Sequence, residues 1–299
     1  MTFEQENRVK ADFDDAYTAP TPHAYLAAMA ENGYAIGEQA RPWFVAAAEL
    51  LAEHNGTAFP VQMLDLGCSY GVGAALVRFG VTFDEMVAFF TSRAPRNYTA
   101  CTESTRSWLN ATPPQLDLRV IGMDASGPAI RFATDACMLD NGIVANLEAP
   151  GAAPDDEQRA FFRSCNLVVS SGAIGYITGR TLDHVLADLG ADHPGKFGPL
   201  VVVTILRMFD AGPIVEAFRK VDMRFEAVPG VRLPQRRFVD ETEQRRTLDL
   251  LASRDVDTAG WESEGVLVAD LYVGAPAASF GPLMERMRAI EVDVAPRAR

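Results

Sequence analysis

The residues Asp65-Leu66-Gly67-Cys68-Ser69-Tyr70-Gly71-Val72-Gly73 follow a short apolar run, VQMLDLG (61–67), and lead into a helical pattern near Ala74. Small residues in a strand-to-helix turn let the backbone approach a ligand, and the helix N-terminus offers free N–H groups. A dinucleotide loop reads G-x-G-x-x-G, whereas here the pattern is D-x-G-x-S-x-G, with Ser69 in the middle. The bland alternative is a tight turn that holds no ligand. A second acid, Asp124, closes the run LRVIGMDAS (118–126), 59 positions beyond Asp65. The compact fingerprint separates the two by ~20 positions, so a long insertion lies between them. A carboxylate at that strand end can accept charge-assisted hydrogen bonds from both ribose hydroxyls of an adenosine, with Ala125 beside it. It can equally cap the helix that starts in GPAIRFA. A third segment, Ser170-Ser171-Gly172-Ala173-Ile174-Gly175-Tyr176, contains no Asp, Glu, Lys or His.

The elements that must position these residues alternate. Apolar runs at 61–67, 118–126, 142–148, 165–172, 199–207 and 266–274, with a weaker one near Phe225–Val228, read as strands. Helical patterns such as GPAIRFATDACMLDNG (127–142) lie between them. This alternation predicts an α/β fold, a mostly parallel sheet with helices on both faces, closed by a late antiparallel strand. Residues 1–58 read as an N-terminal helical lid built on HAYLAAMAENG and EQARPWFVAAAELLAEHNG, ahead of a catalytic domain at 59–299. The insertion between the two acids reads as an added helix and loop, with 95–115 as a polar stretch. APGAAPDDEQRA (149–160) reads as an exposed loop.

Composition bounds the partners. The chain of 299 residues carries 27 Lys and Arg against 40 Asp and Glu, a formal charge of −13. A phosphate-binding surface shows as a basic excess, so neither nucleic acid nor an anionic membrane is an expected partner. Cys68, Cys101, Cys137 and Cys165 are dispersed and do not cluster with His23, His54, His184 or His193. No metal site is expected, and the thiols are read as reduced. MTFEQENRVKADFDD lacks an apolar core and no apolar run reaches ~18 residues, so the chain reads as cytoplasmic, without signal peptide or membrane span. Its oligomeric state is left open between monomer and homodimer.

Together these residues resemble class I S-adenosylmethionine (SAM) methyltransferases, over roughly residues 60–275. The resemblance implies a Rossmann-like, seven-stranded, mostly parallel sheet, with SAM as cosubstrate and no metal. It assigns SAM contacts to Asp65, Gly67, Ser69, Gly71, Asp124, Ala125 and Ser170. After the third strand, Asn146 would meet the adenine amino group and Leu147 would pack on the ring; the alternative is an ordinary turn, for which Asn is common. Further blocks, Tyr17…Pro22-His23-Ala24-Tyr25, VVSSGAIGYIT, ILRMFD, LPQRRF and GWESEG, are similar to a bacterial subgroup of methyltransferase-like proteins. Some of these accompany nonribosomal peptide pathways, and the subgroup includes azetidine-2-carboxylate synthases. Those fold SAM onto itself: its amine attacks Cγ and methylthioadenosine leaves. The other reading is methyl transfer to a small natural-product acceptor.

Either reaction displaces a sulfonium, so the protein must mainly position the nucleophile and shape the field. A base-poor, aromatic segment suits a reaction internal to one ligand. Tyr176 can present a ring face to the sulfonium, an attraction of ~0.5–2 kcal/mol, with Ser171 beside it; otherwise Tyr176 is a core aromatic. Tyr17 and Tyr25 fall in the lid that would exclude water, although helical spacing also makes Tyr25 a packing residue. Arg207, Arg236 and Arg237 offer a two-pronged grip on a carboxylate, or form structural ion pairs with acids such as Glu262 or Glu264. Cys68 reads as a small apolar filler.

Overall fold

The computed structural model describes residues 17–56 and 60–291. The N-terminal leader-free reading and the first part of the lid, residues 1–16, lie outside the described residues. Eleven α-helices and seven strands follow in the described residues. They are α1 (His23–Glu31), α2 (Ile36–Asn55), β1 (Val61–Leu66), α3 (Val72–Phe79), α4 (Phe83–Ser92), α5 (Tyr98–Asn110), β2 (Leu118–Asp124), α6 (Gly127–Asp135) and β3 (Asn141–Val144), then α7 (Asp156–Ser164), β4 (Leu167–Ile174), α8 (Gly179–Asp188), β5 (Leu200–Leu206), α9 (Gly212–Lys220), β6 (Met223–Arg237), α10 (Glu241–Ala252), β7 (Val266–Pro276) and α11 (Ala277–Arg288).

The strands form one sheet in the order β3-β2-β1-β4-β5-β7-β6. The first five in that order run parallel, and β7 is antiparallel to both β5 and β6. This is the seven-stranded, mostly parallel Rossmann-like sheet with one late antiparallel strand that the resemblance implies. Strand order reverses between β1 and β4, and right-handed crossovers then send the helices of the two halves to opposite faces. A crevice forms outside the carboxyl ends at such a reversal, which is where β1, β2 and β4 deliver Asp65, Asp124 and Ser171.

Helix α2 packs across β4, β5 and β6 and against α3 and α11. Its Trp43, Phe44 and Leu51 are buried in one core with the sheet, and Trp43 Nε1 donates to the carbonyl of Met287. So α2 is a covering layer of the sheet, although it lies in the part read as a lid.

Three local readings need correction. The polar stretch 95–115 contains α5, started by Asn97, whose Oδ1 accepts from Ala100 N. Its buried face is Cys101, Thr102, Thr105 and Leu109, so hydroxyls disguised the stripe that hydropathy looks for. The loop 149–160 gives way to α7, whose Asp155 and Gln158 form a capping box. Strand β6 is far longer than Phe225–Val228 because it resumes through LPQRR after a register shift between Ala227 and Arg232. Pro229, Gly230 and Pro234 hid that continuation, since such residues sit in strands mainly at bulges and edges.

Candidate functional site

The loop from Gly67 to Gly71 is fixed by backbone geometry that its residue types allow. Gly67 has φ +71°, and a Cβ there would lie 2.2 Å from Cβ of Ala173 near the end of β4. Gly71 enters α3 in the left-handed region at φ +75°. Ser69 adopts φ +49° although it has a side chain, a strained conformation of the kind that persists where the surroundings over-determine it. The helix thus begins at Val72, two residues before the spacing suggested.

Asp124 is placed as the organiser of two loops. Its Oδ2 accepts from Ser69 N and its Oδ1 from Ser126 N, both at 2.9 Å. Ser126 itself caps α6 through Ala129 N, so capping is not the task of Asp124. Burial pushes the Asp124 carboxyl up, while the N–H donors from Ser126, Ser69 and Ala125 oppose that. Each oxygen keeps a further lone pair for a hydroxyl donor.

Asp65 is 4% exposed at the end of β1. Burial first, and then the Asp124 charge, raise its pKa to about 7, against a hydrogen bond from Ala74 N. Among the described residues its Oδ2 is buried without a hydrogen-bond partner, and so is Oγ of Ser69. A Cβ at Gly73 would lie 3.2 Å from that Oδ2, so only glycine leaves the carboxylate undisturbed there. Unpaired buried oxygens are uncommon, because each forfeits its hydration. Two of them in one loop fit a ligand that brings hydrogen-bond donors and positive charge.

Tyrosines wall the same space. Tyr17 packs on Tyr25 at 5.1 Å between ring centroids, and Tyr25 on Tyr70 at 5.5 Å. Burial raises the phenols of Tyr17 and Tyr25, and it takes Tyr34 and Tyr70 to about 12, so all four remain neutral donors and ring faces. The Ser171 side chain opposes the rise of the Tyr34 phenol, which also feels the charge of Asp65. Tyr17 feels Tyr34, Tyr176 and Asp124. The chain at 17–19 is strapped over the crevice. Ser126 Oγ donates to the carbonyl of Tyr17, and the Tyr70 hydroxyl donates to that of Ala19, both at 2.6 Å.

The remaining expected residues are placed as follows. Ser170 Oγ donates to the carbonyl of Leu66 and so ties β4 to β1. Asn146 is exposed and its Oδ1 accepts from Glu148 N, while Leu147 is buried. Tyr176 is 51% exposed in the loop after β4. Cys68 is buried, its Sγ 2.6 Å from where a Cβ of Gly122 would stand, which makes it a packing residue. Arg207 is paired with buried Glu262 at 2.9 Å and Arg236 with buried Glu243 at 2.6 Å, so both take the structural option. Arg237 donates to the carbonyl of Glu31.

Sequence reasoning missed Tyr34, Gln235 and Glu148. Tyr34 follows the turn that ends α1, where no motif marks it. Gln235 lies beside Gly172 and its Oε1 is buried without a partner among the described residues. Glu148 joins the β3 loop to the start of α8, accepting from Thr178 N and from the hydroxyls of Thr178 and Thr181. Among the described residues, no cluster of three or more His, Cys, Asp or Glu is arranged to hold a metal, and no helix is long and apolar enough to cross a membrane.

No protein-family model and no curated protein matches the chain. Several solved structures resemble it. One is a TehB-like SAM-dependent methyltransferase from Corynebacterium glutamicum, at 15% identity over 76% of this chain and 86% of that one, with a TM-score of 0.35. Another is the plantazolicin methyltransferase BpumL in complex with SAH, at 9% identity over 92% and 97%, with a TM-score of 0.40. A third is the [4+2]-cyclase SpnF, at 14% identity over 77% and 79%, with a TM-score of 0.33. At identities this low, the neighbours say nothing of substrate; the sheet order above stands on the chain's own pairing.

Proposed function

We propose that the chain binds SAM in the crevice above β1, β2 and β4 and converts it to azetidine-2-carboxylate and methylthioadenosine. The reading rests on its resemblance to the cyclising subgroup, and one observation carries the binding site: Asp65 Oδ2 and Ser69 Oγ are buried without partners beside Asp124, under a wall of tyrosines. SAM supplies an activated Cγ, its own amine as nucleophile, and methylthioadenosine as leaving group.

The chain's residues then have distinct tasks. Asp124 accepts from the ribose, with Ala125, Asn146 and Leu147 around the adenine. Gly67, Ser69 and Gly71 let the loop backbone approach. The carboxylate of Asp65, ionised above about pH 7, holds an ammonium and can take its proton. Ser170 holds the β4 end in place, and Ser171 stands beside it facing Tyr34. Tyr25 and Tyr176 offer ring faces to the sulfonium. The strap at Tyr17–Ala19 excludes water, and reaction within a single ligand needs no second entrance. The partner is thus a small molecule.

Methyl transfer to a small acceptor is the second reading, favoured by an open cleft of about 640 Å³ walled by Phe209, whose ring lies against Gly175 of the loop after β4. Mass spectrometry of SAM incubated with the protein alone separates the two. Cyclisation gives methylthioadenosine and azetidine-2-carboxylate without an acceptor. S-adenosylhomocysteine formed only when an acceptor is added means methyl transfer, and SAM left intact overturns the cyclising reading.

A further inference from the structure

The cleft of about 640 Å³ lies where β5 ends and β7 is hydrogen-bonded to it, with Phe209 and Tyr272 among its walls. A second hollow of about 510 Å³, walled by Trp261, shares only Arg232 and Asp270 with it. These two are direct register partners on β6 and β7, and Arg232 is the first residue after the register shift in β6. Opposite charges facing each other across antiparallel strands stand about 5 Å apart at Cβ and favour pairing. Yet among the described residues neither the Arg232 nor the Asp270 side chain makes a hydrogen bond or an ion pair within 4.0 Å.

The other charges of the cleft are mostly committed. Arg207 is paired with Glu262 and also donates to the carbonyl of Asp257. Arg254 donates to the carbonyl of Met208. Asp210 and Asp257 accept from Gly212 N and Ala259 N in their own turns. Asp255 is exposed to solvent. Exposed Arg232 and partly buried Asp270 therefore feel each other's charge across the strands but, among the described residues, neither side chain has a hydrogen-bond or ion-pair partner within 4.0 Å on this cleft. Burial raises the Asp270 carboxyl even though Arg207 and Arg232 oppose it. A ligand that brings an ammonium would relieve that cost.

We infer that this cleft recognises a free α-amino acid, its carboxylate on Arg232, its ammonium on Asp270 and its side chain toward Phe209 and Tyr272. The short carboxylate-to-ammonium spacing of a zwitterion suits two groups held directly opposite on paired strands. The cleft also adjoins the candidate site. Phe209 lies against Gly175, where a Cβ would come within 2.2 Å of its ring, one residue before Tyr176. An occupant here is therefore placed to be a cyclic amino-acid product or an amino-acid acceptor. The inference itself stands on the cleft and not on which reaction SAM undergoes.

Isothermal titration of the full chain with L-azetidine-2-carboxylate and, separately, with the proteinogenic L-amino acids tests it. At least one should bind saturably, and its N-acetyl and methyl-ester forms should bind at least about tenfold more weakly, since each removes one charge-assisted contact. Arg232→Ala and Asp270→Asn should each weaken binding by a similar factor. Asp270→Asn should keep or raise the melting temperature, since it removes a carboxylate that burial disfavours, Arg232→Ala should not unfold the chain, and both should leave the turnover of SAM alone unchanged, which separates this test from that of the catalytic reading. Tightest binding of azetidine-2-carboxylate marks the cleft as a product site, and amino-acid-dependent formation of S-adenosylhomocysteine marks it as an acceptor site. No saturation by any of these compounds up to about 10 mM, a free energy weaker than ~3 kcal/mol, overturns the inference, as does unaltered binding by both variants.

Discussion

The two ends of the sheet's carboxyl edge treat their most deeply buried charges in opposite ways. Over β5, β7 and β6, the deeply buried charges are matched within the chain: Arg207 with Glu262, Arg236 with Glu243. Over β1, β2 and β4, buried oxygens are left open: Asp65 Oδ2 and Ser69 Oγ, with neutral tyrosines around them. A buried charge without a partner is strongly destabilising, so a fold matches it internally unless something else supplies the partner. The contrast therefore sorts the arginines that the sequence offered as ligand grips into structural parts, and marks the crevice as the place that waits for donors.

The sharpest break in that contrast is at Arg207. Arg207→Ala leaves Glu262 buried alone, and we expect a loss of about 3–5 kcal/mol in a urea titration. SAM affinity in the surviving folded protein should stay within about twofold, below ~0.5 kcal/mol. A selective loss of SAM affinity with normal stability would instead make Arg207 a ligand residue.

Asp65→Asn probes the opposite end. The folded pKa of about 7 lies above the usual carboxylate value near 3.9, so ionising Asp65 opposes folding. That penalty is absent below about pH 4, grows as pH rises toward 7, and is complete above it. The Asn variant should be more stable than wild type at pH 8 by on the order of 2 kcal/mol, and the gap should close by about pH 4. Binding of cationic SAM shows the reverse. It should tighten for wild type between about pH 6 and 8 and stay flat for the variant, because only wild type gains a counter-charge. A pH-independent stability gap contradicts the assignment.

Smaller effects grade the aromatic wall and the strained loop. Tyr176→Phe should keep most of kcat/KM, while Tyr176→Ala loses several-fold, the size of a partly exposed cation–π contact of ~1 kcal/mol. Equal losses assign the role to the hydroxyl. Ser69→Gly relieves φ +49°, and should raise the melting temperature by a few degrees or less, for a gain of roughly 0.5 kcal/mol.

The sheet and its glycine loop were legible because they depend on local patterns. VQMLDLG and LRVIGMDAS are apolar runs bounded by turn residues, and Asp65 and Asp124 stand at their strand ends. Helix α5 was not legible, because Thr102 and Thr105 bury hydroxyls that donate to carbonyls of their own helix. Tyr34 and Gln235 were not legible either, since each reaches its place by tertiary packing from a distant element, α1's end and β6. The free state of Arg232 and Asp270 depends on a bulge and its register, which no residue pattern announces.

The central claim is that the crevice at the β1–β4 reversal holds SAM through Asp124. Its direct test is an equilibrium titration of the wild-type chain and Asp124→Ala with SAM at pH 8. The account predicts saturable one-to-one binding by wild type and a loss of about a hundredfold or more in the variant, near 2.7 kcal/mol, with helical content intact. Absence of saturable binding by wild type, or equal affinities in the two proteins, would contradict it.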